Sequence, residues 1–233
     1  MTIALVRHGE TDWNLQGLVQ GTTDIPLNDT GRAQAAQAAE RLARRSWDRV
    51  VTSTLSRAFE TGAIIASRLG LPSPTTHPGL VERRYGIAEG MLFREYDVAF
   101  PADTPVDGRE SRDEVAKRML PTVLEVSTQH PGESIIIVSH GGAIRSVLGV
   151  LEPATTFPPI RNLSAHTVEH RDGALALLAF DDQFELVPDE SVSTAQVPTA
   201  EGAQAVPRPL RILRMLRTEQ DRAGLWVDCR RCP

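Results

Sequence analysis

Apolar positions along this chain change their period from one segment to the next. Ile3 to Val6 run without interruption, as in a central strand covered on both faces. Ala35, Ala39, Leu42 and Ala43 then share one face behind Asn28, a residue suited to capping a helix. A second buried run, Asp48 to Ser53, follows. After it, Leu55, Ala58, Phe59, Gly62, Ile65, Ala66 and Leu69 recur at the spacing of an amphipathic helix. Glu110 to Gln129 carries a helical pattern in which Pro121 predicts a kink or a fresh start. A third strand pattern, Glu133 to Gly142, precedes a helix face made of Ile144, Val147, Leu148 and Leu151. Two alternating segments, "AHTVEH" and "ALALLAF", flank Asp172-Gly173 and predict a hairpin.

Strands and helices in alternation predict an α/β fold with parallel strands. The pattern stops near Pro188, so residues 1–187 are read as one domain and 188–233 as a disordered linker and tail. Within that tail, "LRILRMLRTEQDR" sets Arg211, Arg214 and Arg217 against Ile212, Leu213 and Leu216. The segment has the pattern of a short basic amphipathic helix that would touch a membrane surface or a partner, and is read as loosely ordered. Cys229 and Cys232 form a lone CxxC with neither a second pair nor histidines, which is a poor zinc or redox signal.

Composition narrows the function. The 233 residues are 41% apolar, enough for one core. No apolar run approaches the ~18 residues that span a bilayer. The first residues lack the basic-then-apolar order of a signal peptide, so a cytoplasmic protein without a membrane span is expected. A net charge of -5 argues against nucleic acid as a partner and requires any basic anion site to be local.

Such a local site is visible at the strand ends. In "IALVRHGETDWN", four apolar residues run into Arg7 and His8, groups that resist desolvation. His140 follows the third strand, and Arg57 opens the helix after the second. In an open parallel sheet the carboxyl ends of the strands share the ligand-binding edge, so these four residues meet on one rim. Guanidinium groups grip phosphate oxygens through paired hydrogen bonds. Gly9, Gly141 and Gly142 allow close backbone approach, and the helix after Gly142 offers free N–H groups. Clustered arginines repel a divalent metal, and no acidic cluster supplies hard ligands, so no metal is expected. A neutral imidazole can serve as the nucleophile in phosphoryl transfer.

"LVRHGETDWN", "STLSRAFETGAII", "LVERRYGIAEG" and "VSHGGAIRSVL" resemble, in order, four motifs of the histidine phosphatase superfamily, which includes the cofactor-dependent phosphoglycerate mutases. The resemblance covers Ile3 to about Phe180. It implies a three-layer α/β/α sandwich with a mixed, mainly parallel sheet. His8 would be the nucleophile that becomes phosphohistidine, with Arg7, Arg57 and a cationic His140 around the phosphate. Glu82 would be the proton donor, protonated near neutral pH; without the motif it reads as a salt-bridge partner of Arg83 or Arg84. Asn14, Gln20, Gly21 and Gly141 match positions lining phosphate or substrate. No cofactor is implied.

Departures from the pattern bear on the reaction. Ala88 stands where many relatives have tryptophan, and Arg109 where a second glycine is common. The stretch from Gly90 to Gly108 is shorter than the region that closes over substrate in the mutases. A mutase must retain its intermediate and exclude water, so the short lid favours hydrolysis of a small phosphomonoester. The alternatives are a phosphoglycerate mutase and an inactive phosphate-ester binding module. A serine hydrolase is excluded, because the chain has no G-x-S-x-G elbow. Arg83, Arg94 and Arg109 are candidates for holding a second anionic group on the substrate.

Overall fold

The strand β1 (Thr2–Arg7) is buried along its centre because it is hydrogen-bonded on both sides and covered on both faces. In the computed structural model, which describes residues 1–101 and 104–184, it lies inside a six-stranded sheet of order β3-β2-β4-β1-β5-β6. β2 (Arg49–Thr52), β3 (Thr75–Thr76) and β4 (Ile135–Ser139) run parallel to β1. The hairpin of β5 (Ala165–Arg171) and β6 (Ala174–Ala179) completes the sheet, with β5 pairing antiparallel to β1 and β6 antiparallel to β5. Its turn residues Asp172 and Gly173 both have positive φ, 53° and 75°, the backbone that a two-residue turn of matching twist requires.

Side-chain alternation along the strands builds two separate cores. Ile3, Leu5, Ile135 and Ile137 face α5 (Arg112–Gln129) and α6 (Gly141–Leu151), where Met119, Val123, Ile144 and Val147 pack. Ala4, Val6, Ile136 and Val138 face α2 (Asp29–Leu42) and α3 (Ser56–Leu69), where Leu42, Ile65 and Ala66 pack. The result is an α/β/α sandwich, and the continuous apolar runs in the sequence are its two-sided central strands. The short α1 (Asp12–Gln16) and α4 (Phe93–Ala99) lie outside these layers, near the ends of the parallel strands. Asn28 caps α2, its Oδ1 accepting from the Gly31 N–H at 2.8 Å.

Three sequence expectations are corrected. α5 runs through Pro121 without a fresh start and begins at Arg112 rather than Glu110, because Ser111 and Glu114 form a capping box there. An internal proline costs about 3 kcal/mol. Burying Val115, Met119, Val123 and Val126 in the same helix, at ~1.5–3 kcal/mol each, outweighs it. Phe59, placed on the apolar stripe of α3 by its spacing, is 42% exposed. α6 begins at Gly141 rather than after Gly142, with His140 as its cap. The expectations for residues 188–233, including the basic segment and the two cysteines, lie outside the described residues. Among the described residues, no helix is long and apolar enough to cross a membrane.

One buried histidine on β5 makes stability depend on pH. The His166 Nδ1 accepts from the Asp181 N–H at 3.2 Å, and its Nε2 lies 3.2 Å from the Ser164 hydroxyl. Nδ1 is therefore committed as an acceptor, and burial pushes the imidazole down to about 4 against the opposing charge of Asp181. An unfolded chain binds that proton near pH 6.5, so stability is full above that value and falls as pH drops toward 4. The loss from this residue approaches about 3 kcal/mol at the acid end. In urea titrations at pH 7 and pH 5, His166→Gln should show a smaller drop in unfolding free energy than the unsubstituted protein. Equal drops would show that His166 does not carry the effect.

Candidate active site

The carboxyl ends of β1, β2 and β4 are in register, with Arg7 opposite Ser139 and Thr52 opposite Val138. Residues just beyond them are therefore delivered to one edge of the sheet. His8 is anchored by its own N–H to the Ser139 carbonyl at 3.0 Å, and His140 caps α6 after β4. Arg57, in the first turn of α3, is fully buried although charged. A cleft of about 1220 Å³ opens on this edge, lined by Arg7, His8, Arg57 and Glu82 among others. His140 is fully buried behind His8, with 5.0 Å between the ring centroids.

Hydrogen bonding fixes the chemistry of His8. Its Nδ1 lies 2.6 Å from the Gly9 carbonyl oxygen, which can only accept. Nδ1 therefore carries the proton and Nε2 keeps the lone pair. Burial first, then the charges of Arg7 and Arg57, holds this imidazole well below its ordinary value, so the ring stays neutral. A neutral imidazole with one free nitrogen is a competent nucleophile.

His140 differs from the expected cation. Burial, then the neighbouring Arg57, the adjoining His8 ring, Arg7 and Arg118, holds it well below its ordinary value, so both rings are neutral in the resting site. Its Nε2 is 2.8 Å from the Ser53 hydroxyl, which itself accepts the Leu55 N–H. Ser53 thus engages the Nε2 edge of the ring, and Nδ1 is the nitrogen left over. That Nδ1 is buried and has no partner among the described residues.

The arginines are held from behind. Arg7 donates from Nη1 to the Ile160 carbonyl at 2.7 Å. Arg57 donates to the Thr23 and Gly21 carbonyls at 2.8 Å each, which also pins the Gly21 turn. The Nε of each is buried and unpaired among the described residues. Burial is the main cause that lowers both, Arg57 to about 10, and leaves them cationic at neutral pH. Two cations, with two unsatisfied donors beside a neutral nucleophile, form an anion pocket.

Glu82 makes no salt bridge with Arg83 or Arg84. Its carboxylate accepts from the backbone N–H groups of Arg83 (2.7 Å), Gly142 (3.0 Å) and Ala143 (2.8 Å), two of them at the start of α6. A Cβ at Gly142 would sit 2.7 Å from Glu82 Oε1, so a larger residue there would push this carboxylate away from the start of α6. Asn14, Gln20, Gly21 and Gly141 also line the cleft. The Asn14 Oδ1 accepts from the Thr11 N–H and from Asn162 Nδ2, leaving its own amide group free.

Several residues of the site carry no sequence periodicity and were not anticipated. Asn162 donates to the His8 carbonyl at 2.9 Å, Thr61 receives the Gly9 N–H at 3.0 Å, and Ser53 orients His140. The irregular segment bearing Glu82 is held by Arg118 of α5, which donates to the carbonyls of Gly79, Val81 and Glu82 and pairs with buried Glu110. The lid is a small packed unit in which Val19, Ala88 and Tyr96 are buried together. Glu89 ties it down by accepting from Thr22, Thr23 and Tyr85. Of the arginines expected to hold a second anion, Arg83 lines the cleft. Arg109 also lines it, but its guanidinium is taken up by the Tyr96 hydroxyl and the Thr104 carbonyl. Arg94 is not in the lining.

Comparisons with known proteins converge on one group. The profile of the histidine phosphatase superfamily, branch 1, matches residues 3–183. An uncharacterized phosphatase, PhoE, of Bacillus subtilis is 43% identical over 63% of this chain and 75% of its own length. A metal-independent phosphoserine phosphatase of Arabidopsis thaliana is 34% identical over 79% of this chain and 82% of its own. Among solved structures, a mycobacterial glucosyl-3-phosphoglycerate phosphatase complexed with VO3 superposes with a TM-score of 0.68. It is 28% identical and covers 77% of this chain and 98% of that one.

Proposed function

The chain belongs to the histidine phosphatase superfamily and is a phosphoric monoester hydrolase, and from that premise we propose that it hydrolyses a small phosphorylated metabolite through a phosphohistidine on His8, without a metal ion. The observation that carries this reading is the fixed tautomer of His8, whose free Nε2 shares a cleft with Arg7 and Arg57. In the first step Nε2 attacks phosphorus as the ester bond to the leaving oxygen breaks. Arg7, Arg57 and the Nδ1–H of His140 stabilise charge on the equatorial oxygens. Glu82 takes up a proton as the anionic substrate enters the cleft, gives it to the leaving alkoxide, and then takes one from the water that attacks the phosphohistidine. Hydrolysis restores His8 and releases phosphate.

Two features support hydrolysis without a metal. The groups facing His8 are guanidinium, amide and imidazole, which repel or poorly ligate a hard cation. The carboxylates of Glu82 and Glu89 are engaged by N–H and hydroxyl donors. The short lid supports water as the acceptor. Phosphate release from a panel of phosphomonoesters should survive exhaustive chelation and be independent of a bisphosphoglycerate primer. Activity lost in EDTA and restored by a divalent ion would overturn the metal-free mechanism. Dependence on the primer would make the protein a mutase.

A further inference from the structure

The turn that supplies the carbonyl partners of Arg57 is gripped on both sides. On one side Arg57 donates to the Gly21 and Thr23 carbonyls, which fixes the plane of its guanidinium group. On the other, the Glu89 carboxylate accepts from the backbone N–H groups of Thr22 at 3.0 Å and Thr23 at 2.9 Å. The hydroxyls of the same two threonines also donate to it, at 3.3 and 2.5 Å. The peptide groups of one short turn are thus divided between an anion and a cation. The fit is close. A Cβ at Gly21, whose φ is 56°, would fall against Glu89 Oε1.

The grip extends past the turn in both directions. Asp24, next in the chain, accepts from the N–H and the hydroxyl of Ser56, which opens the helix bearing Arg57. Glu89 Oε1 also accepts from the N–H of Tyr85 at 3.1 Å, three residues past Glu82. Partial burial raises the Glu89 carboxyl, but the bonds from Thr23, Thr22 and Tyr85 outweigh it and hold the group below its ordinary value. Glu89 is therefore anionic at neutral pH, yet it does not line the cleft. Its charge alone opposes phosphate binding. Its hydrogen bonds do the reverse, by fixing a turn that aims an arginine.

We propose that Glu89 is a positioning residue for the phosphate pocket, holding the Gly21–Thr23 turn so that Arg57 presents its remaining donors to the phosphoryl group. This rests on the phosphatase reading of the cleft. Glu89 touches neither substrate nor reacting atoms and acts through the peptide groups of residues 21–23. Through Tyr85 the same carboxylate ties that turn to the segment carrying Glu82. One group outside the cleft then sets both the phosphate arginine and the acid.

Oxyanion binding tests this without turnover, through calorimetric dissociation constants for inorganic phosphate and orthovanadate. Glu89→Gln should weaken both about tenfold, because an amide NH2 then opposes N–H groups that a charged acceptor had satisfied. Loss of the negative charge alone would tighten binding, so the sign separates positioning from electrostatics. Thr23→Val removes one hydroxyl donor to Glu89 and should weaken binding about threefold. A double-mutant cycle supplies a second readout. In an Arg57→Lys background, with no planar guanidinium to aim, Glu89→Gln should cost less than about twofold. A carboxylate that merely staples the lid would lower the resistance to urea and leave the affinity of the folded protein unchanged. Unchanged or tighter binding in Glu89→Gln, or the full loss persisting beside Arg57→Lys, overturns the proposal. Where Glu89→Gln does not fold, unchanged affinity in Thr23→Val overturns it. The phosphatase reading fails separately, if no phosphomonoester is hydrolysed while the oxyanions still bind. An unsubstituted protein that binds neither oxyanion overturns both.

Discussion

His8→Ala should abolish turnover, with a loss of at least ~10⁴-fold, because the reaction then has no nucleophile in the pocket. The same change should remove a transient phosphoryl label that is stable to base and labile to acid. His140→Ala should slow labelling yet leave any label on His8. The two rings lie 5.0 Å apart in one buried pocket, but their hydrogen bonds separate their work. Gly9 takes the Nδ1 proton of His8 and leaves Nε2 free to attack. Ser53 occupies the Nε2 of His140 and leaves only Nδ1 without a partner among the described residues. Attack by His140 through Nε2 would first break its bond to Ser53. Alkaline quenching of an active reaction followed by mass spectrometry locates the label. Phosphate on His140, or turnover persisting in His8→Ala, would reverse the assignment.

How much of this was legible in the sequence follows from which residues act through a period. Ile3–Val6 and Ile135–Val138 are read easily because a strand buried on both faces leaves no polar position to confuse the pattern. Strand ends in register then bring Arg7, His8, Arg57 and His140 together by topology alone. Asn28 and the Asp172-Gly173 turn declare themselves because capping and positive φ demand particular residues. Pro121 misleads, since local cost is overridden by burial elsewhere in α5. Ser53, Thr61 and Asn162 are single polar residues whose partners are distant in sequence, and no period marks them. The charge state of His140 was also beyond the sequence. It depends on burial and on four neighbouring groups, not on the residue type. Glu82 is the intermediate case. Its motif singles it out, yet only the fold shows that the first N–H groups of α6 hold its carboxylate.

That placement leads to the second large effect. Glu82→Gln should slow phosphorylation by alkyl phosphates about 10²–10⁴-fold, the usual contribution of a general acid. An aryl phosphate such as p-nitrophenyl phosphate, whose leaving group has a pKa of about 7, hardly needs the proton and should lose much less. The contrast must be read in pre-steady-state phosphorylation, because Glu82 is assigned a second role as base toward water, which affects both substrates alike in steady turnover. Glutamine is the right replacement for shape, since it keeps one oxygen to accept from α6. Its NH2 group faces donors where the carboxylate had an acceptor, so some loosening of the segment is expected. Loosening alone would slow both substrates equally, because each places its phosphoryl group against the same His8 and arginines. A dependence on the leaving group is therefore the signature of the proton itself. Equal losses on alkyl and aryl phosphates would reduce Glu82 to a residue that holds the start of α6, and the acid would have to be sought elsewhere in the cleft.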